Sequence, residues 1–292
     1  MEYLLEIGIE ICIYVILVLS ANLTVGLAGM LTLCQAAFYG IGAFLGAILM
    51  INFNLPFIAT AVVVMLATGA VSLLISYASI KLKGDYFILS TLCFQFIVFS
   101  IIYNMLSEAR NGVSSLSSIP PVRLLIFGSL ESRLPLFVFT LLLTLVIVWL
   151  IHRMQASPFG RALVSIRGDE SSAQALGRNT DSLKTTAFFI SAALSSLAGI
   201  IYASLQASIS PNEFSLDTSI LILTALFIGG IGRNIRGAIA GAFLIVILPE
   251  LVMTVGLPEG IAAPLRQIVF GIALIVLMFM RPKGLLGDLD IK

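Results

Sequence analysis

Residues 11–51, ICIYVILVLSANLTVGLAGMLTLCQAAFYGIGAFLGAILMI, contain no Asp, Glu, Lys or Arg. A single helix of that length, rising 1.5 Å per residue, would measure about 60 Å, twice the ~30 Å hydrocarbon core of a bilayer. The chain therefore turns back near Gly26–Thr32 and crosses twice, at roughly 11–31 and 33–51. Apolar runs of similar length follow near 56–80, 86–106, 134–151, 185–206, 215–232, 237–257 and 263–280. The 292 residues are 59% hydrophobic and 11% charged, against roughly 25% charged in a soluble domain. The fold class is all-α: a polytopic transmembrane helical bundle of about 8 to 9 membrane segments, forming one membrane domain over 1–292.

Basic residues orient such spans. With Lys81 and Lys83 placed inside and the sides alternating, the inner loops receive Lys81, Lys83, Arg153, Arg161, Arg167, Arg178, Lys184, Arg233, Arg236, Arg281, Lys283 and Lys292. Only Arg110, Arg123, Arg133 and Arg266 remain outside, a split of 12 to 4. The N-terminus is then external and the C-terminus cytoplasmic, although a re-entrant segment before residue 56 would reverse the N-terminus. Glu2, Glu6 and Glu10 precede the first run without a Lys or Arg, unlike the basic start of a cleavable signal, so that run is read as a permanent span. A polar loop at about 107–133 faces outward, as a cap for a soluble partner or a plain linker. A second, at about 152–184, is cytoplasmic.

Several functions are disfavoured by what is missing. The net charge of +1 and the scattered Lys and Arg argue against nucleic-acid partners. The single histidine, His152, cannot alone build a metal site or a His-dependent triad, so no metal ligand and no catalytic residue are assigned. No G-x-x-x-x-G-K-[ST] occurs to cradle a nucleotide, so ATP hydrolysis would need another chain. Cys12, Cys34 and Cys93 lie in apolar runs with no paired spacing and are read as packing residues. Charges at span centres, which cost about 2.5 to 3.5 kcal/mol each on insertion scales, are nearly absent. The exception is Glu250, beside Pro249 near an outer end.

Uncharged polar residues remain within the spans, and Asn22, Thr24, Gln35 and Gln95 are the chosen substrate-pathway residues. They offer hydrogen bonds without a fixed charge that would trap a small neutral or zwitterionic solute. They serve equally as glue between helices. Small residues at four-residue spacing (Gly42 with Gly46; Ser191, Ser195 and Gly199; Gly237 with Gly241) mark faces where backbones approach closely, and intrachain packing is the default reading. Gly229, Gly230 and Gly232 before Arg233 and Arg236 predict a tight inner turn.

The inner loop carries the most specific pattern. Gly160-Arg161-Ala162, Ile166-Arg167, Asp169-Glu170 and Ala173-Gln174-Ala175-Leu176-Gly177 predict two short helical faces interrupted at Gly168 and stopped at Gly177. Other ordered motifs are Asn22-Leu23 with Gly26-Leu27-Ala28-Gly29, Gln35 through Ala43, Leu82 through Phe87, Ser210-Pro211 through Gly229-Gly230-Ile231-Gly232 to Pro249-Glu250, and Arg281 through Gly287. Together these resemble the permeases of branched-chain amino-acid ABC importers, the LivM and LivH type and more closely LivM. The chain departs from the pattern at Gln35, where many relatives have His, and at Gln174, where many have an acid.

The resemblance implies a bacterial inner-membrane complex of this chain with a LivH-like second permease, two ATP-binding subunits and an extracytoplasmic solute-binding protein. It also implies that ATP and Mg are held by the partners, with no cofactor in this chain. Arg161, Arg167, Glu170, Ala173, Leu176 and Gly177 become the expected ATPase-coupling residues, and Leu, Ile and Val the expected cargo. Related permeases for urea, short amides or other amino acids share the pattern. A stand-alone secondary transporter or channel is the rival from another class.

Overall fold

The structure, a computed structural model, describes residues 2–80, 82, 84–109, 133–206, 208–232 and 234–253, three two-residue strands at 116–117, 123–124 and 128–129, and Gly271. The expected span near 263–280, apart from Gly271, and the 281–287 motif lie outside the described residues. So does most of the 107–133 loop.

The helices run α1 (Glu2–Ala21), α2 (Gln35–Phe53), α3 (Phe57–Ser79), α4 (Asp85–Ala109), α5 (Arg133–Ala156), α6 (Pro158–Gly168), α7 (Glu170–Ala175), α8 (Thr180–Gln206), α9 (Leu216–Gly229) and α10 (Ile235–Met253). Among the described residues, six are long and apolar enough to cross a membrane: α1 with its continuation to Leu27, α2, α3, α4, α5 and α8. The expected break after the first span is present. Its helix starts earlier than the apolar run, at Glu2, and Glu6 in that added stretch pairs with Arg133 of α5 at 2.6 Å. The run at 215–232 is shortened: α9 has 14 residues, about 21 Å of helix, too little to cross alone.

At the centre of the bundle α2 lies along α8. A Cβ added at Gly42 would overlap the backbone of Ser196. One at Gly199 would overlap the Tyr39 carbonyl and stand 2.7 Å from the Ala43 nitrogen. The small-residue spacing is thus used within this chain, as dispersion between closely apposed backbones. Gly229, Gly237 and Gly241 do the same between α9 and α10, and the predicted turn between those helices takes Gly230 and Gly232 at φ 106° and 140°, where only glycine is unstrained.

α3, α4 and α5 form the outside. Their exposed side chains include Leu66, Leu74 and Tyr77 of α3 and Leu142, Leu145 and Trp149 of α5, a continuous apolar surface suited to lipid and not to water.

The ends of the bundle differ in charge. Arg153, Arg161, Arg167, Arg178, Lys184 and Arg236 gather at one end, where Arg167 reaches Gly26 and Asn22 reaches Gly232. Glu2, Glu6, Glu10 and Glu250 lie towards the other, together with Arg133 on Glu6; there the Tyr3 hydroxyl donates to Glu250 and Leu116–Ser117 pairs with Ser208–Ile209.

Candidate functional site: a polar seam between two broken spans

Two of the membrane elements are interrupted. At the basic end α1 widens into a π-helical turn, Asn22–Leu27, followed by irregular backbone until α2 begins at Gln35. A π turn shifts each N–H to the carbonyl five residues back, as Ala28 N–H does to Leu23 O at 3.3 Å, and such turns recur at functional sites. At the acidic end the chain leaving α8 re-enters as a 3-10 turn, Pro211–Phe214, before α9. Irregular backbone at membrane depth is tolerated only when sheltered by protein or lining a watery cavity.

The expected pathway residues sit at these breaks. Asn22 clamps the α9–α10 turn from both sides, its Nδ2 donating to Gly232 O at 2.9 Å and its Oδ1 accepting Gly232 N–H at 3.4 Å. Thr24 donates to Ala21 O within the π turn at 3.0 Å. Gln35 opens α2 with its Nε2 2.5 Å from Ser20 Oγ, 2.5 Å from Ser195 Oγ and 3.3 Å from Ser191 Oγ. Gln95 of α4 donates to the Phe214 carbonyl at 2.9 Å and accepts from Ser219 at 3.4 Å, while Ser219 accepts the Ala36 N–H at 2.9 Å.

A chain of polar contacts, Phe214–Gln95–Ser219–Ala36, therefore joins the outer break to the inner one. Asn22, Thr24 and Gln35 share the inner break, and Gln95 bridges to the outer. All four are buried and satisfied within the chain in this conformation, which leaves few free polar groups in the seam.

Sequence reasoning missed Ser20 and Ser219 and read Ser191 and Ser195 only as small packing residues. Their signal was faint. A serine on an apolar helix can return its hydroxyl to its own backbone, as Ser20 does to Leu17 O at 2.7 Å.

The inner loop folds as a helical hairpin. Ser157 caps α6, accepting Gly160 N–H at 3.4 Å, with Pro158 in the first turn. Ala162, Leu163 and Ile166 face inward and are buried. Arg161 returns to Ala156 O at 3.0 Å, so it braces the hairpin. Arg167 is half-buried: its Nη1 donates to the Gly26 carbonyl in the π turn, its stem packs on Gly29, and desolvation lowers its pKa. Glu170 pairs with Lys184 of α8 at 2.5 Å, and Ala173 is buried. The helix ends in a Schellman motif, Arg178 N–H to Ala173 O at 3.2 Å and Gly177 N–H to Gln174 O at 2.9 Å, with Gly177 at φ 78°. Leu176, at the tip, is 82% exposed. The two expected faces and the stop at Gly177 are present.

Residues 3–278 match the protein-family profile described as branched-chain amino acid transport system / permease component. The chain belongs to that family. It is 30% identical to the high-affinity branched-chain amino acid transport system permease protein LivM of Salmonella typhimurium, over 96% of this chain and 69% of that protein. It is 31% identical to LivM of Escherichia coli, over 94% and 68%. A shorter match, 33% identical over 41% of this chain and 34% of the relative, is to the autoinducer 2 import system permease protein LsrC of Yersinia pestis. No solved structure matches.

As a family permease component, the chain is a multi-pass membrane protein whose relatives are transport subunits. Among the described residues no three His, Cys, Asp or Glu side chains converge as metal ligands. The seam holds the two broken spans together, and the hairpin links the inner one to the exposed Leu176 tip.

Proposed function

We propose that this chain is the membrane-spanning permease of an ABC importer, carrying branched-chain amino acids across the bacterial inner membrane while partner subunits bind Mg and ATP and hydrolyse it. One observation carries the reading: a continuous path of contacts leads from the exposed Leu176 tip, through Glu170–Lys184 and α6, to Arg167 on the broken end of α1. An exposed leucine at the end of a rigid, capped hairpin is a knob for another protein. The basic residues around it support a cytoplasmic position for the hairpin, and in this reading the C-terminus is cytoplasmic and the N-terminus external.

In this mechanism the ATP-binding pair moves the hairpin, and Arg167 transmits the displacement to the π turn. Release of the Asn22–Gly232 clamp then opens the inner break, so the two states differ in these contacts and not in any chemistry of this chain. A second, LivH-like permease completes the passage, and an extracytoplasmic solute-binding protein delivers the cargo. The cargo assignment follows the LivM relatives. The LsrC match keeps other small solutes in view, as do the urea and short-amide permeases implied by the sequence motifs.

The test is ATP-driven leucine uptake into proteoliposomes holding the chain with its co-purified partners. Leu176→Asp should reduce uptake at least about tenfold, the effect of roughly 1.4 kcal/mol in coupling, while the chain still inserts. Concentrative uptake by the isolated chain, or full uptake by Leu176→Asp, removes the hairpin from the mechanism.

A further inference from the structure

The lipid-facing side of α5 ends in a group of side chains that neither the seam nor the Leu176 tip uses. Trp149, His152, Arg153 and Ala156 recur at helical spacing, so they share one face of the last two turns, and all four are exposed. Arg161, from the start of α6, returns to the Ala156 carbonyl and brings a second exposed guanidinium to the end of that face. Towards the middle of the span Leu142, Leu145 and Val146 continue the same exposed surface as hydrocarbon alone. From Arg133 to Arg153 the helix rises about 30 Å, the thickness of a bilayer core. Arg153 therefore stands at a membrane boundary, with Trp149 one turn inside it.

Arg153 is not extended away into water. Its guanidinium carbon lies 5.5 Å from the centre of the Trp149 ring. A long basic side chain at a helix end ordinarily reaches for the aqueous phase. One held on an interfacial indole is kept instead at the level of the lipid headgroups. The charge there is not balanced by protein. The sequence holds no Asp or Glu between Glu131 and Asp169, and among the described residues no carboxylate pairs with Arg153 or Arg161. Of the nearest acids in the chain, Asp169 caps α7 and Glu170 is taken by Lys184. The N–H donors of Arg153 are left for an anion, and a guanidinium fork matches two oxygens of a phosphate.

We propose that this face of α5, completed by Arg161, is a binding surface for the headgroup of an anionic phospholipid, with the acyl chains lying along Leu142, Leu145 and Val146. A soluble acidic partner would match the two arginines but not the hydrocarbon beside them. A zwitterionic lipid would match the hydrocarbon but brings its own cation to the phosphate. Because Arg161 is fixed to Ala156, the headgroup sits at the joint between α5 and the hairpin and steadies the hairpin at its root. The surface depends on α5 crossing the bilayer and not on which solute is carried.

Trp149 is the only tryptophan of the chain, so its fluorescence reports the lipid beside it. The full chain is reconstituted in phosphatidylcholine vesicles that carry a minor fraction of acyl-brominated phosphatidylglycerol or, separately, of acyl-brominated phosphatidylcholine, because bromine quenches an indole only at close range. The wild type should associate with the anionic lipid about fivefold or more in preference to the zwitterionic one, and Arg153→Gln should remove about fivefold of that preference, the effect of one basic residue at an anionic surface. Arg153→Lys, which keeps the charge, should retain most of it. Arg161→Gln should lower it by a smaller factor, and serves if the Arg153 variant fails to insert. Equal quenching by the two lipids in the wild type, or an unchanged preference in both glutamine variants, overturns the surface. Reversal of the preference by excess inorganic phosphate also overturns it, since an anion site with no use for the acyl chains is not a lipid site.

Discussion

The two broken spans are held in different ways. The inner break is fixed by a few directional polar contacts: Asn22 on Gly232, Arg167 on Gly26 and Gln35 among three serines. The outer break is fixed mainly by rings, with Phe214 among Tyr39, Phe44 and Tyr202, and by the single amide of Gln95 on the Phe214 carbonyl. Directional bonds break all at once when their partners move, which gives discrete states. Aromatic packing is less directional and tolerates sliding. In the mechanism proposed above, switching belongs to the inner break, which the hairpin touches through Arg167.

The strongest way to break the comparison is to remove the scaffold both breaks share. Gly199→Leu would drive a side chain into the Tyr39 carbonyl and the Ala43 nitrogen. Overpacking typically costs about 1–3 kcal/mol, and here the obstacle is backbone, which cannot rotate away. The expected result is little or no folded protein in detergent extracts, judged by size-exclusion profile. Gly168→Ala, where nothing lies within 4 Å of the added carbon, is the matched control. Normal yield of the Gly199 variant would mean that α2 and α8 are not packed as described.

A smaller and more selective effect is expected from Arg167→Ala. The residue is half-buried and donates to a backbone carbonyl of the π turn. Hydrogen bonds to charged groups contribute roughly 1.5–3 kcal/mol, enough to lower coupled uptake about tenfold or more. The chain should fold and the partners should still hydrolyse ATP, so the loss appears as ATPase activity without transport. Equal loss of both activities would show a structural defect and not a transmission defect.

What the sequence disclosed follows from what lipid enforces. Uncharged length forced the turn between α1 and α2, and the asymmetric distribution of Lys and Arg matches the charge difference between the ends. Glycine and capping signals at Gly168 and Gly177 located both helices of the hairpin, because backbone conformation there depends on local chemistry. The breaks were harder to read. Asn22, Gln35 and Gln95 stood out as polar residues in apolar runs, but their partners are backbone groups of Gly232 and Phe214 and the hydroxyls of Ser20, Ser191, Ser195 and Ser219. Those partners come from remote segments, and no period or spacing announces them. The shortened α9 was hidden for a related reason: a re-entrant segment packed inside protein is as apolar as one that crosses.

The smallest effect concerns pH. Asp169 caps α7 by accepting Ser171 and Ser172 N–H at 2.9 and 3.2 Å and both serine hydroxyls at 2.6 Å, first the hydroxyls and then the backbone bonds holding its pKa down to about 2. A carboxyl lowered on folding contributes stability that is fully present above its ordinary value and is lost only as pH falls through the lowered one. The cap is therefore constant between pH 8 and pH 5, and amide exchange in α7 should be unchanged over that range after correction for intrinsic rates. Loss of α7 protection within that range would mean that Asp169 does not hold the start of the helix as described.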